Sequence, residues 1–230
     1  MSVRIMSEMK IDKHYLEVGT IKYFRGKPEN IELACFGEKK DPVGAFSYLA
    51  VEGNVRRSLL KDSAKRVTAV TIDWSRERSA EVDAHGTLKY FGLDVKIAVS
   101  GSYEEAKSAR LKLVKFAINE RPLKRILNED ADAARKYLAR EGGDGRIVSE
   151  IWVLMKGELD EHFATAGTID VTASADDAAL EFSASGGTHG SQTVRISKGT
   201  TFAYLMHKVK EWNKDKTKIL NMEDDQHGTR

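Results

Sequence analysis

Residues 163–196 read FATAGTIDVTASADDAALEFSASGGTHGSQTVRI, and their alternation decides the fold. In the first leg Phe163, Ile169 and Val171 share one parity, while Thr168, Asp170 and Thr172 take the other. Asp176-Asp177 forms an acidic, turn-like break. In the second leg Leu180, Phe182 and Ala184 alternate with Glu181, Ser183 and Ser185. Successive side chains of a strand point to opposite faces, so each leg is apolar on one side and wet on the other. Together they predict a long amphipathic β-hairpin.

Residues 79–100 have the same character. Ala80, Val82 and Ala84 alternate with Glu81, Asp83 and His85, and Leu93, Val95, Ile97 and Val99 alternate with Asp94, Lys96, Ala98 and Ser100. They predict a second two-legged hairpin. Upstream, residues 21–24 and 31–36 read as short strands around a turn at 26–28, and residues 66–74 as another strand. Residues 45–60 fit a strand in part and a short helix in part. Residues 111–118 fit helical spacing (Leu111, Val114, Ile118) and equally a strand with a bulge (Leu113, then Val114, Phe116, Ile118), since periodicity alone does not separate the two in a short apolar run. Pro122 suits the opening of a helix carrying Leu123, Ile126 and Leu127. Asn128 reads as the N-cap of a second helix, with an apolar stripe of Ala131, Ala134, Tyr137 and Leu138 and a stop at Gly142-Gly143. Residues 146–155 are apolar on both parities, as in a central strand covered on both faces. Residues 202–209 read as a two-sided strand or a short helix. From 213 onward the chain turns polar, a tail that is loose or docks through Ile219, Leu220 and Met222.

Amphipathic strands of this kind point to an α+β protein with a twisted, mainly antiparallel sheet, two long hairpins and flanking helices. The chain has 230 residues, of which 41% are hydrophobic and 31% charged, a globular composition. The net charge of +2 and the lack of a recognisable binding fold argue against a nucleic-acid partner. Cys35 is the single cysteine, reads as a buried structural thiol, and allows no intrachain disulfide. No apolar run approaches the ~20 residues of a membrane-spanning helix. The six histidines stand alone in sequence, so no metal site is expected. There is no P-loop, G-x-G-x-x-G or G-x-S-x-G. The glycine cluster at 186–190 falls between strands and reads as a hairpin loop rather than a phosphate cradle. A non-enzymatic protein without cofactors is expected.

The order of elements over residues 79–212 is amphipathic hairpin, RPLKRILN, AARKYLAREGGDGRIVSEIWVLMKGELDE, second amphipathic hairpin, then QTVRISKGTTFAYLMHKV. This resembles the second half of the gasdermin pore-forming domain. The last of these segments is similar to the family's strand, S-G-(S/T)-T turn and strand. The likeness covers about 130 residues and is poor over the first 65. With about 18 residues after Trp212, the chain is similar to the compact bacterial members, although it lacks the cysteine that these often carry near the N-terminus.

The resemblance implies a pore-forming domain at 1–212 and a short inhibitory tail at 213–230. Cutting the tail, by a partner protease, would let a monomer oligomerise into a large β-barrel pore and kill its own cell, as in bacterial antiphage defence. It implies a cytoplasmic protein when inactive and the inner membrane when active. The membrane strands would carry Val82, Leu93, Val95, Ile97, Val99, Phe163, Ile169, Val171, Leu180 and Phe182 toward lipid. Glu81, Asp83, Asp94, Lys96, Thr168, Asp170, Glu181 and Ser183 would face the lumen. Anionic lipids would meet Arg56, Arg57, Lys61 and Lys65, and Arg121, Lys124, Arg125, Arg135, Lys136 and Arg140. Ile219, Leu220 and Met222 would dock the tail. The alternative is a non-enzymatic binding or scaffold domain whose antiparallel sheet stays folded.

Overall fold

The apolar run at 146–155 becomes the centre of the molecule. The computed structural model describes residues 9–12, 14–25, 30–40, 48–71, 81–82, 87–90, 93–96, 111–186 and 190–228. In chain order these hold β1 (Met9–Ile11), β2 (Tyr15–Val18), β3 (Ile21–Phe24), β4 (Cys35–Lys39), β5 (Leu49–Asn54), a 3-10 turn (Arg57–Leu60) and β6 (Ala64–Thr71). There follow β7 (Glu81–Val82), β8 (Thr87–Tyr90), β9 (Leu93–Lys96), β10 (Leu111–Ile118), α1 (Glu120–Glu129), α2 (Asp132–Glu141) and β11 (Gly145–Lys156). The rest is α3 (Gly157–Thr165), β12 (Thr168–Ala173), β13 (Leu180–Ser185), β14 (Gln192–Ile196), β15 (Thr201–Trp212) and β16 (Ile219–Asp225). The fold is α+β and mainly antiparallel, as the alternation predicts.

A ten-stranded sheet runs β1-β2-β3-β15-β11-β10-β6, with β16 added to β15 and the β4-β5 pair added to β11. Along one edge β11 pairs with β15; along the other it pairs with β10 and, at Gly145–Ile147, with β4. Apolar on both parities, it packs on both faces: Val148, Ile151 and Val153 join the larger core, Trp152 and Leu154 a smaller one on the opposite face. Gly37 pairs with Val51 at a bulge where a Cβ would sit 1.9 Å from the Ala50 carbonyl oxygen, so the position admits glycine alone.

Residues 111–118 are the bulged strand of the two open readings, with the irregularity at Lys115/Phe116 opposite β6. Residues 202–209 are likewise strand, within β15. The segment at 45–60 divides into β5 and the 3-10 turn. The helix expected at Pro122 starts two residues earlier, with the proline in its first turn, where a missing N–H costs nothing. α1 buries Leu123, Ile126 and Leu127, as its spacing predicts, and α2 stops at Gly142, whose φ of 59° is left-handed.

Several readings need correction, the strand expected at 31–36 among them: β4 begins only at Cys35, after Ala34 at a φ of 62°. Asn128 is not an N-cap: it lies inside α1, and α2 is entered through Ala131 without a side-chain cap. Phe163 is not in a strand but in α3, buried against the larger core. Where a hairpin is expected at 79–100, the described residues form a three-stranded sheet, β7-β8-β9, because Thr87–Tyr90 pairs with both neighbours. Its backbone groups thereby find partners that a plain connection would leave to water. The turn at 26–28, the strand end at Ile72 and Trp74, residues 187–189, and Ile97 and Val99 lie outside the described residues.

Candidate functional site

β12, β13 and β14 make a sheet of their own, separate from the ten-stranded one. Its register places Val171, Phe182 and Val194 in one buried cross-strand row, and Leu180 and Ile196 in the next. Thr172, Glu181 and Arg195, and Asp170, Ser183 and Thr193, form rows on the opposite face, where the Ser183 and Thr193 hydroxyls are 2.8 Å apart. The apolar face lies on the main sheet, with the Phe182 ring 4.2 Å from that of Phe116. Burying five large apolar side chains at ~1.5–3 kcal/mol each holds this sheet down by about 10 kcal/mol. Both β12 and β14 are edge strands of the small sheet.

Polar tethers supplement the apolar face. Buried Asp160 of α3 accepts from Arg66 at 2.6 Å and Lys112 at 3.3 Å, fastening the helix that leads into β12 to β6 and β10. The His162 ring lies 3.4 Å from the Ala184 carbonyl. At the tip, Asp176 accepts from the Ser174 hydroxyl, the Ala178 amide and Arg195. Chiefly through the Ser174 bond, then the Ala178 amide and Arg195, its pKa falls to about 2. Asp176 is thus an ionised turn residue. Arg57 ties that tip to the 3-10 turn by donating to the Asp177 carbonyl while pairing with Glu32.

The tail is a strand of the main sheet. β16 pairs with β15 from Met206↔Asp225 to Trp212↔Ile219. Ile219 and Met222 are 1% and 3% exposed, but Leu220 points outward at 43% and docks nothing through its side chain. On its outer side β16 meets a polar ladder on α1. Asn128 both donates to the Ile219 carbonyl (3.0 Å) and accepts from the Ile219 amide (2.9 Å). Lys124 donates to the Leu220 carbonyl at 2.9 Å, and Glu120 accepts from the Met222 amide at 3.4 Å. Spaced four residues apart on one helix face, these side chains serve the backbone groups that an edge strand would otherwise leave exposed. At its far end, buried Asp225 binds Arg146 (2.5 Å) and Lys39 (2.9 Å), and His227 continues onto β3 by donating its amide to the Lys22 carbonyl.

The expected lipid-facing cations separate into engaged and open groups. Arg57 is spent on Glu32 and the hairpin tip. Arg135 binds Asp132 and the carbonyl end of α1, Lys136 binds Asp132 at 2.7 Å, and Arg140 binds Glu141 and covers the Tyr137 ring. Arg56, Lys61 and Lys65 are exposed. Arg121 and Arg125 are exposed too, and with Asp62, Ser63, Pro122, Lys124 and Asn128 they line an open depression of about 480 Å³. Of the expected membrane-strand residues, Val171, Leu180 and Phe182 are buried and Ile169 is half-buried, while Val82, Leu93 and Val95 fall in β7 and β9. Among the described residues no cluster of His, Cys, Asp and Glu could hold a metal ion. Burial pushes the Cys35 thiol up to about 12, which keeps it unreactive.

Sequence reasoning missed Asn128, Lys124 and Glu120 as strand-gripping residues, and Asp225 with Arg146 as a buried pair. The spacing of 120, 124 and 128 was visible, but nothing in it tells a solvated helix face from one that meets a strand. Comparison with protein-family models, with curated proteins and with solved structures finds no match for this chain.

Proposed function

We propose that this chain is a pore-forming protein of the gasdermin type, held inactive by its own C-terminal strand. The observation that carries the reading is the β12–β13 pair, an amphipathic hairpin that among the described residues shares no ladder with the main sheet; its backbone bonds run only to β14, and side chains dock it on the main sheet. A hairpin of that kind can leave without breaking the central sheet. Its apolar row then faces lipid and its polar rows face water, the only arrangement a membrane accepts for strands once they close into a barrel. Each strand has 6 residues, short of the ~9–11 that span a bilayer, so insertion recruits the last turn of α3 into β12. Phe163 then joins Ile169 and Val171 on one face. The few strands of one subunit cannot close a barrel, so many subunits pair through their edges.

A chain of contacts supports the tail as the brake. β16 is gripped by α1, α1 adjoins Asp62 and Ser63 across the depression, and the neighbouring 3-10 turn holds the hairpin tip through Arg57. The turn at 214–218, between β15 and β16, is exposed throughout and offers a protease a site. In this reading a protease and anionic lipids are the partners, and the protein acts in killing its own cell.

Dye release from anionic-lipid vesicles tests the proposal. The full chain is expected to be inert. A chain cut within 214–218 after folding, or ending at Trp212, is expected to release dye after a concentration-dependent lag, and Ile169→Asp in the cut chain to suppress release. A cut chain that leaves vesicles intact while losing its tail refutes the proposal. The depth at which Phe182 and Asp225 are buried favours a second reading, a binding or scaffold domain whose sheet stays closed. Under it the cut chain remains monomeric and releases no dye.

A further inference from the structure

Beyond the last residue of β16, the chain closes over an aromatic cluster that couples both termini of the described fold. The Tyr48 hydroxyl lies 3.3 Å from His14 Nδ1 and 3.1 Å from His227 Nε2. The His227 ring stacks on Tyr15 (centroids 5.3 Å apart) and meets Tyr48 and Phe24 edge-on. A phenol carries one proton. With both imidazoles neutral, the hydroxyl donates to one ring nitrogen and accepts from the N–H of the other, and all three groups are satisfied. With both imidazoles protonated, two N–H donors converge on one oxygen, and the hydroxyl proton loses its acceptor.

We infer that this cluster is a pH-sensitive clasp on the C-terminal strand: His14 and His227 share the Tyr48 hydroxyl when neutral, and acidification loosens residues 219–228. The surrounding lysines act in the same sense. Lys22 of β3 lies over the Tyr15 ring at 5.2 Å, Lys10 of β1 at 5.7 Å, and Lys39 of β4 faces Phe24 at 5.7 Å. Arg25 follows β3, its amide bonded to the His14 carbonyl. Among the described carboxylates, Asp225 is bound by Arg146 and Lys39, and Asp12 accepts from the His14 amide. Burial, then His14 and Lys22, hold the His227 imidazole below its ordinary range, against a smaller opposing pull from Asp12. A base whose pKa is depressed in the docked state contributes stability that is complete above the free imidazole range, ~6.5, and declines as pH falls below it. On the neighbouring strand His207 lies 3.2 Å from Asp224.

The clasp rests on the docked strand alone and stands or falls independently of pore formation. Hydrogen exchange on the full chain, corrected for intrinsic rates, reads it at residues 219–228 between pH 7.5 and 5.5. Protection is expected to fall below pH 6.5 by up to about tenfold per pH unit for each proton taken up, while β10 and β11 hold theirs. His227→Gln should flatten the dependence, and His14→Gln should reduce it. Unchanged protection in the wild type, or an undiminished dependence in the His14→Gln/His227→Gln chain, overturns the inference. Should the glutamine variants undock the tail outright, an NMR titration of the wild-type His227 ring decides: a midpoint at or above the ordinary imidazole range refutes the clasp.

Discussion

Replacing Asp225 by alanine removes the carboxylate that fastens the C-terminal strand to the middle of the main sheet. Its side chain is 3% exposed and that of Arg146 6%, so the guanidinium cannot turn to water when its partner goes. Arg146 keeps its bonds to the Gly143 and Gly145 carbonyls, which satisfy N–H groups but not the charge. Breaking a buried pair from one side costs about 3–5 kcal/mol. At a urea dependence of about 2 kcal/mol/M, the unfolding midpoint falls by about 1.5–2.5 M with an unchanged slope. Lys39, at 15% exposure, can reach solvent and adds little. Replacing both charges, Arg146→Met with Asp225→Leu, should recover most of the loss, because a fully apolar filling avoids the desolvation that the ion pair incurs. Urea titrations of the single and double variants give the coupling directly. A midpoint shift under about 0.5 M for Asp225→Ala, or a double variant no more stable than the single, refutes the reasoning.

Phe182→Ala should cost about 3–5 kcal/mol through lost transfer and a cavity beside Phe116, and exchange at β12–β14 should rise before that at β11, checked by hydrogen exchange with urea titration. Asn128→Ala should cost about 1–3 kcal/mol, because the Ile219 amide and carbonyl lose their partners together, and exchange should rise at β16 ahead of β15. The hairpin tip carries its own acid dependence. With the Asp176 pKa at about 2, below the free carboxylate range, its contribution is present above ~3.9 and is lost as pH falls through about 2. Ser174→Ala should raise that midpoint more than Arg195→Gln does, as an NMR titration of the carboxyl carbon would read.

Much of the fold was legible because side-chain alternation is a local signal. Val171, Leu180, Phe182 and Ala184 sit on the buried face that their parity predicts, and the apolar run around Ile151 and Val153 is the covered central strand. Ile219 and Met222 stand out as the greasy residues of a polar segment, and both are buried. Leu220 belongs to the same cluster in sequence, but as a strand neighbour of Ile219 it faces the other way. Phe163 has the parity of a strand residue, yet its segment is helical, in the helix whose Asp160 binds Arg66 and Lys112.

By itself the sequence determined the α+β class, the two-faced character of β12 and β13, and the buried nature of Cys35, each a property of composition or of a period two residues long. Tertiary structure alone decided that 111–118 is a strand, that Asn128 grips β16, that Asp225 finds Arg146, and that two histidines solitary in sequence share one tyrosine hydroxyl. The reason is that periodicity records how a segment meets a surface, whereas these contacts join groups far apart along the chain, and their geometry exists only once the sheet has brought them together.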